Sequence, residues 1–265
     1  MNKGFSLVEL AIVLAILGLL IGGILAGQSM IRGSSIQSTM TQIGAYRAAI
    51  VAFEDEYRAL PGDMRNAVMY WGAQAGATTD GTDATCQALD ETNPATGTET
   101  CNGDGDGLIE SAVASEKFRF WQHLANAGLI EGYYSGVRAS SSGNNIHEAG
   151  LNAPAAKLGS SSLYSVRGFN AISSGNGSWF PTRPVTRIAI STQANTSYPE
   201  GAVLTNEEAW NIDKKMDDGR PGLGSVVSPN NSNVSDCADS DDPNAAEYQL
   251  NLSGEECWLL FDIKF

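Results

Sequence analysis

Glu9 is the only ionisable side chain between Phe5 and Gly27, a run of 23 residues (FSLVELAIVLAILGLLIGGILAG). A carboxylate costs about 2.5 to 3.5 kcal/mol at the centre of a bilayer and less near an interface, so Glu9 calls for a compensating charge. Met1 to Gly4 precede the run as a short polar leader that contains Lys3 and ends in glycine. A cut after Gly4 would free the α-amine of Phe5 and make Glu9 the fifth residue of the remaining chain. That amine, with an unperturbed pKa of roughly 7.7 to 8.0, is a natural counter-charge. The chemistry this spacing points to is pairing between a freed terminus and a carboxylate.

A second set of groups lies in Asn102-Gly103-Asp104-Gly105-Asp106-Gly107-Leu108-Ile109-Glu110. Asn102, Asp104, Asp106 and Glu110 stand at positions 1, 3, 5 and 9 of a calcium-loop pattern, with Gly107 at 6 and Ile109 at 8. Alternate residues in a tight glycine-rich turn can converge oxygen donors on one hard cation. Position 12 is Val113, which has no side-chain oxygen, so a complete EF-hand is excluded. The expected ion is calcium, in a shorter loop closed by Glu110 or by a distant acid such as Asp90. The competing reading is an Asn/Gly/Asp turn that needs no metal. Nine acids and no base lie between Arg65 and Lys117, a density that favours full solvation or a bound cation. The later run Asp213 to Gly222 reads as a helix end followed by an acidic turn, with a second cation or partner loop as the alternative.

These groups need elements to position them. At 1.5 Å per residue the apolar run is long enough to cross a hydrocarbon core about 30 Å thick. It is longer than a signal-peptide core and lacks an Ala-x-Ala-like cleavage site, and Gln28 stands where a lipoprotein would need cysteine. Beyond it, Ile31, Ile36, Met40, Ile43, Ile50 and Phe53 recur mostly three, four or seven residues apart, which predicts a helix to about Tyr57, ended by Leu60-Pro61-Gly62-Asp63. The whole helix would be a rod of about 80 Å.

Ala67 to Trp71 reads as a short helix or turn, and Gly72 to Leu108 as a long loop. Ser115 to Asn126 reads as a helix with Ser115 as N-cap and with Phe118, Trp121, Leu124 and Ala125 on one face. Ser162 to Asn170 and Val185 to Thr192 read as strands, with Tyr164, Val166, Ile188 and Ile190 inward. Thr205-Asn206-Glu207-Glu208 is a capping box that opens a helix to about Met216, and the chain after Cys257 reads as a terminal strand.

Four cysteines behind an N-terminal membrane segment, an even count, read as two disulfides. Three pairings are open; sequential pairing, Cys86 with Cys101 and Cys237 with Cys257, would close separations of 15 and 20 residues, each worth about 3 kcal/mol by chain entropy. Neither pair has zinc-site spacing. The two histidines, His123 and His147, lie apart, and His123 reads as a packing or rim histidine rather than a catalytic one.

Gly4-Phe5-Ser6-Leu7-Val8-Glu9 followed by an apolar run resembles the processing signal of the type IV prepilin and pseudopilin family. The resemblance implies cleavage between Gly4 and Phe5 by a prepilin peptidase, N-methylation of Phe5, and assembly guided by pairing of Glu9 with a neighbouring subunit's amine. Many pilins carry a helix-kinking proline where this chain has Ala26; here Gly18, Gly22, Gly23 and Gly27 surround that position. They would soften the helix at about 1 kcal/mol per site or let membrane helices pack closely. The last cysteine pair resembles the disulfide-bounded region that closes many pilin heads.

The fold expected is α+β: a leader over 1–4, a membrane or filament-core half-helix over 5–27, an amphipathic half over 28–60, and a head over 61–265 built on an antiparallel sheet. The chain has 30 acidic and 16 basic residues, a net charge of −14, and from Met1 to Leu60 the two signs cancel at four each, so the excess lies in the head. With that balance no nucleic-acid partner is expected. No nucleophile elbow, phosphate loop or His-Glu-x-x-His motif is present, so no enzyme is expected.

The function this implies is a structural subunit of a pilus-like filament. The alternatives are a minor pilin or type II secretion pseudopilin that binds cargo or ligand through its acidic head, and a membrane-anchored periplasmic binding module. The partners implied are other subunits, the peptidase, an inner-membrane assembly platform and, before assembly, lipid. The location implied is the bacterial inner membrane, single-pass, with the head in the periplasm, and a surface or periplasmic filament after assembly.

Overall fold

The computed structural model describes residues 7–74, 95–109, 116–139, 147–159, 161–169, 185–192, 201–229, 236–240 and 242–264. Its first element is one continuous helix, α1, Leu7–Tyr57. Fifty-one residues make it about 76 Å long. The first half is exposed; the second buries Thr39, Ile43, Tyr46, Arg47, Ala49, Ile50 and Phe53 along one stripe, with Ile36 and Met40 at its margin. Ile31, expected on that stripe, is 69% exposed: five residues before Ile36, it points about 140° round the helix from it. The helix stops where the sequence places its breakers. Arg58 adopts φ +55° and Gly62 φ +85°, and a side chain at Gly62 would come within 2.5 Å of the carbonyl oxygen of Glu116.

A short helix α2 (Ala67–Trp71) comes next, then α3 (Glu116–Asn126). Strands β1 (Ser162–Phe169) and β2 (Val185–Thr192) form the first half of the sheet, and β3 (Leu204–Thr205) leads into α4 (Asn206–Met216). The remaining strands are β4 (Val226–Val227), β5 (Glu255–Cys257) and β6 (Leu259–Asp262). One antiparallel sheet runs in the order β1-β2-β6-β4, and β3 pairs with β5 in a second. Tyr164 opposes Ile190 and Val166 opposes Ile188 across β1 and β2. Ile188 and Ile190 in turn oppose Phe261 and Leu259 of β6, so a period of two puts all six on the face that receives α1. The reverse face carries Ala189, Val227, Trp258 and Leu260. The layout is the long helix packed on an antiparallel head that the pattern predicts.

The capping box of α4 is formed: Thr205 accepts from the Glu208 amide at 3.3 Å, and the Glu208 side chain accepts from the Thr205 amide at 2.9 Å. The amphipathic reading of α3 needs correction. Glu116 through Leu124 are all buried, because the helix is covered on one side by the core and on the other by the chain around Gln74, Thr100 and Ser135. Ser115, its expected cap, lies outside the described residues.

His123 is sealed in this layer. Its Nδ1 accepts the Gly62 amide at 2.9 Å, which leaves the proton on Nε2, 2.9 Å from Thr100 Oγ1; that hydroxyl donates onward to Gln122 Oε1 at 2.7 Å. Burial, with the Arg119 charge nearby, lowers its pKa to about 3. It ties the turn after α1 to α3.

Because the folded pKa of His123 lies below that of the unfolded chain, the unfolded state binds more protons between about pH 6.5 and 3. The stability of the wild type relative to a His123→Gln variant should fall by about 1.4 kcal/mol per pH unit as the pH drops below 6.5. Paired urea titrations at pH 7 and 5 read this difference, and a constant gap would show that His123 is not held neutral.

Candidate functional site

Two features stand out: the exposed apolar half of α1 and the acidic turn beside its far end. The structure describes α1 from Leu7, so Gly4 and Phe5 lie outside the described residues. Glu9 sits in the first turn, where the helix dipole favours a carboxylate. Among the described residues α1 is the one helix long and apolar enough to cross a membrane. Its most apolar 18-residue window has a mean hydropathy of 2.7, and none of it is buried against the head. Leu10, Ile12, Leu14, Leu17, Leu20 and Ile24 are each more than 45% exposed. Among the described residues, side chains placed at Gly18, Gly22, Gly23 or Gly27 would meet nothing of the head within 4 Å.

The acidic turn is organised differently from the calcium-loop reading. Asn102 is buried, and its Oδ1 accepts the Val68 amide at 2.9 Å, in the first turn of α2. Asp106 is exposed and accepts the Leu108 amide at 2.8 Å, while Asp104 accepts the Asp106 amide at 3.1 Å. Glu110 lies outside the described residues. The turn wraps around Asp63, which stands just after α1 and accepts amides from Gly105 and, at 2.8 Å, Gly107.

Asp63, Asp104 and Glu116 each offer a carboxylate oxygen within 4.8 Å of the other two, a group that can hold a metal ion. Burial, aided by Asp104 and Asp106, raises the Asp63 pKa to about 6 against the opposing pull of the two amides. Glycine is required here: a side chain at Gly103 would come within 2.4 Å of the Asp63 backbone. The sequence reading missed Asp63 and Glu116 because their meeting with Asp104 is made by the fold. The only local signal was the acid that closes Pro61-Gly62-Asp63.

At the end of α4 the expected acidic turn is present, and it too can hold a metal through Asp213, Asp217 and Asp218. Asp213 is buried, hydrogen-bonded by Tyr248 Oη at 2.8 Å and by the Gly219 amide at 3.1 Å, and burial pushes its pKa up to about 7. Asp217 accepts the amides of Ser225 and Val226, tying the turn to β4. Cys237 and Cys257 form a disulfide across a separation of 20 residues. Cys101 is buried and disulfide-bonded, while Cys86 and Asp90 lie outside the described residues.

Residues 1–25 match the prokaryotic N-terminal methylation motif, the signal of type IV pilins and pseudopilins. No curated protein and no solved structure matches the chain.

Asp63→Ala removes the acceptor for the Gly105 and Gly107 amides and should cost about 1 to 3 kcal/mol in urea unfolding, with a smaller loss for Asp63→Asn. Equal stability of all three proteins would show that Asp63 does not organise the turn.

Proposed function

We propose that this chain is the precursor of a structural subunit of a type IV pilus-like filament. In this reading a prepilin peptidase cuts after Gly4, Phe5 is methylated, and the apolar halves of α1 leave the bilayer to form the filament core. The observation that supports it most is the exposed half-helix behind the methylation motif: lipid or other copies of the helix must cover it, since the head does not. Burial of that surface at about 25 cal/mol per Å² would drive association, and the amine of Phe5 would neutralise Glu9 of a neighbour in the low-dielectric core. The head faces the periplasm and then the filament surface, where its charge keeps it solvated. The family that this signal marks is structural, and the reading assigns no turnover to the head.

Calcium is the ion we assign to the Asp63, Asp104 and Glu116 group. The donors are hard oxygens, and burial makes ionisation of Asp63 unfavourable without a counter-charge. When bound, a divalent cation would supply that charge and tie the turn after α1 to the start of α3.

Intact mass and N-terminal sequencing of protein from membrane and sheared-surface fractions test processing and assembly together. The expected chain begins at methylated Phe5 and is abundant in the sheared fraction. A chain that keeps Met1 refutes the reading, whereas a processed chain confined to membranes at low copy favours the minor-subunit alternative. Glu9→Ala should be processed yet yield at least tenfold less sheared filament; normal yield removes the role given to Glu9.

Calcium titration calorimetry at pH 7 should show binding that Asp63→Asn weakens at least tenfold. Heat independent of Asp63 would place the ion elsewhere.

A further inference from the structure

Among the described residues, Arg32 is the first of α1 to hydrogen-bond to the head, and its guanidinium is used on every side. Nε and Nη2 donate to the two carboxylate oxygens of Glu208, each at 2.7 Å. Nη1 donates to the carbonyl of Leu158, and Nη2 also reaches the carbonyl of Val203 at 2.7 Å and Glu255 at 3.2 Å. The pair is shielded, with side-chain exposures of 28% for Arg32 and 17% for Glu208. A forked, partly desolvated contact of this kind is both stronger and more directional than a surface ion pair. Glu208 is itself fixed, because the same carboxylate closes the capping box on the Thr205 amide.

The grip falls immediately before the weakest stretch of the docked half-helix. Gly33, Ser34 and Ser35 are poor helix formers, and a side chain at Gly33 would meet nothing within 4 Å. Continuous apolar packing begins only at Ile36 and Met40. Without Arg32, the rod would be free to bend at the Gly-Ser-Ser step. From there a bend of about 20° would move the start of α1 by about 13 Å at 1.5 Å per residue.

We propose that Arg32 is a positioning residue that carries the head's hold past Gly33-Ser34-Ser35 and so places the joint between the held and free halves of the rod ahead of that step. The clamp sets where the free half of the rod begins. Its consequence for assembly rests on the filament-subunit reading; the position of the joint does not.

Hydrogen exchange on the full chain in detergent micelles, read by mass spectrometry, tests the joint directly. In Arg32→Ala the amides of residues 29–38 should exchange at least tenfold faster, with those of β1 and β2 changed less than twofold. Glu208→Gln keeps the cap but loses the charge, and it should accelerate the same amides about threefold. Arg32→Lys, a point charge without the fork, should fall between wild type and Arg32→Ala. Adding Gly33→Ala to Arg32→Ala should recover most of the protection.

Unchanged exchange over 29–38 in Arg32→Ala overturns the proposal, as does an equal acceleration in β1 and β2, which a merely structural role would give. Should Arg32→Ala fail to fold, unchanged exchange in Glu208→Gln is the overturning result. Filament yield is scored separately. Loss of yield in Arg32→Ala with normal cleavage after Gly4 links the joint to assembly, while a wild type that never assembles sinks the filament reading and leaves the exchange result standing.

Discussion

The docking of the second half of α1 onto the sheet is the interaction on which the rest of the molecule depends. Tyr46 is wedged edge-on between Trp121 at 5.0 Å and Tyr164 at 5.2 Å, with Ile43, Ile50 and Phe53 filling the stripe beside it. Apolar burial supplies the energy, and buried polar groups fix the register. Arg47 donates from the helix to the backbone carbonyl of Asp262 in β6 at 2.8 Å, and the Asp262 carboxylate is held by Arg187 from the neighbouring strand. Since the helix is continuous, whatever holds its second half also aims its first.

That continuity divides the chain into parts with opposite solvent requirements. The first half-helix is apolar all round and, among the described residues, is not buried against the head, which suits an apolar surrounding such as lipid. The head carries the charge excess and handles it locally. Asp63, Asp104, Asp106, Asp213 and Asp217 each accept backbone amides, so acids that look like free ligands in the sequence are largely the scaffolding of turns. Among the described residues, two places remain where carboxylates converge closely enough to share a cation, and both sit at joints: after α1 and after α4.

Most of the architecture was legible from local patterns. The breaker at Leu60-Pro61-Gly62 stops α1 because proline and a positive-φ glycine bar continuation, and Thr205 with Glu208 starts α4 because the box is complete within four residues. Alternation in β1 and β2 identified the four inward side chains because a strand in an antiparallel sheet shows each face every second residue. The reading failed where burial came from a second layer. Lys117, Arg119 and His123 look like the solvent face of an amphipathic α3, and only the loops folded over it bury them. Ile31 failed in the other direction: its spacing of five from Ile36 turns it about 140° round the helix, off the stripe and into the open.

The sequence by itself determined the features set by near neighbours along the chain. These are the processing motif, the position of Glu9 in an apolar helix, the helix ends and the strand faces, each depending on residues a few positions apart. Tertiary structure alone decided which distant groups meet. Asp63 joins Asp104 and Glu116 across 41 and 53 positions, and Arg32 reaches Glu208 across 176. No local propensity encodes such contacts, because they exist only after the rod has docked and the loops have closed over it.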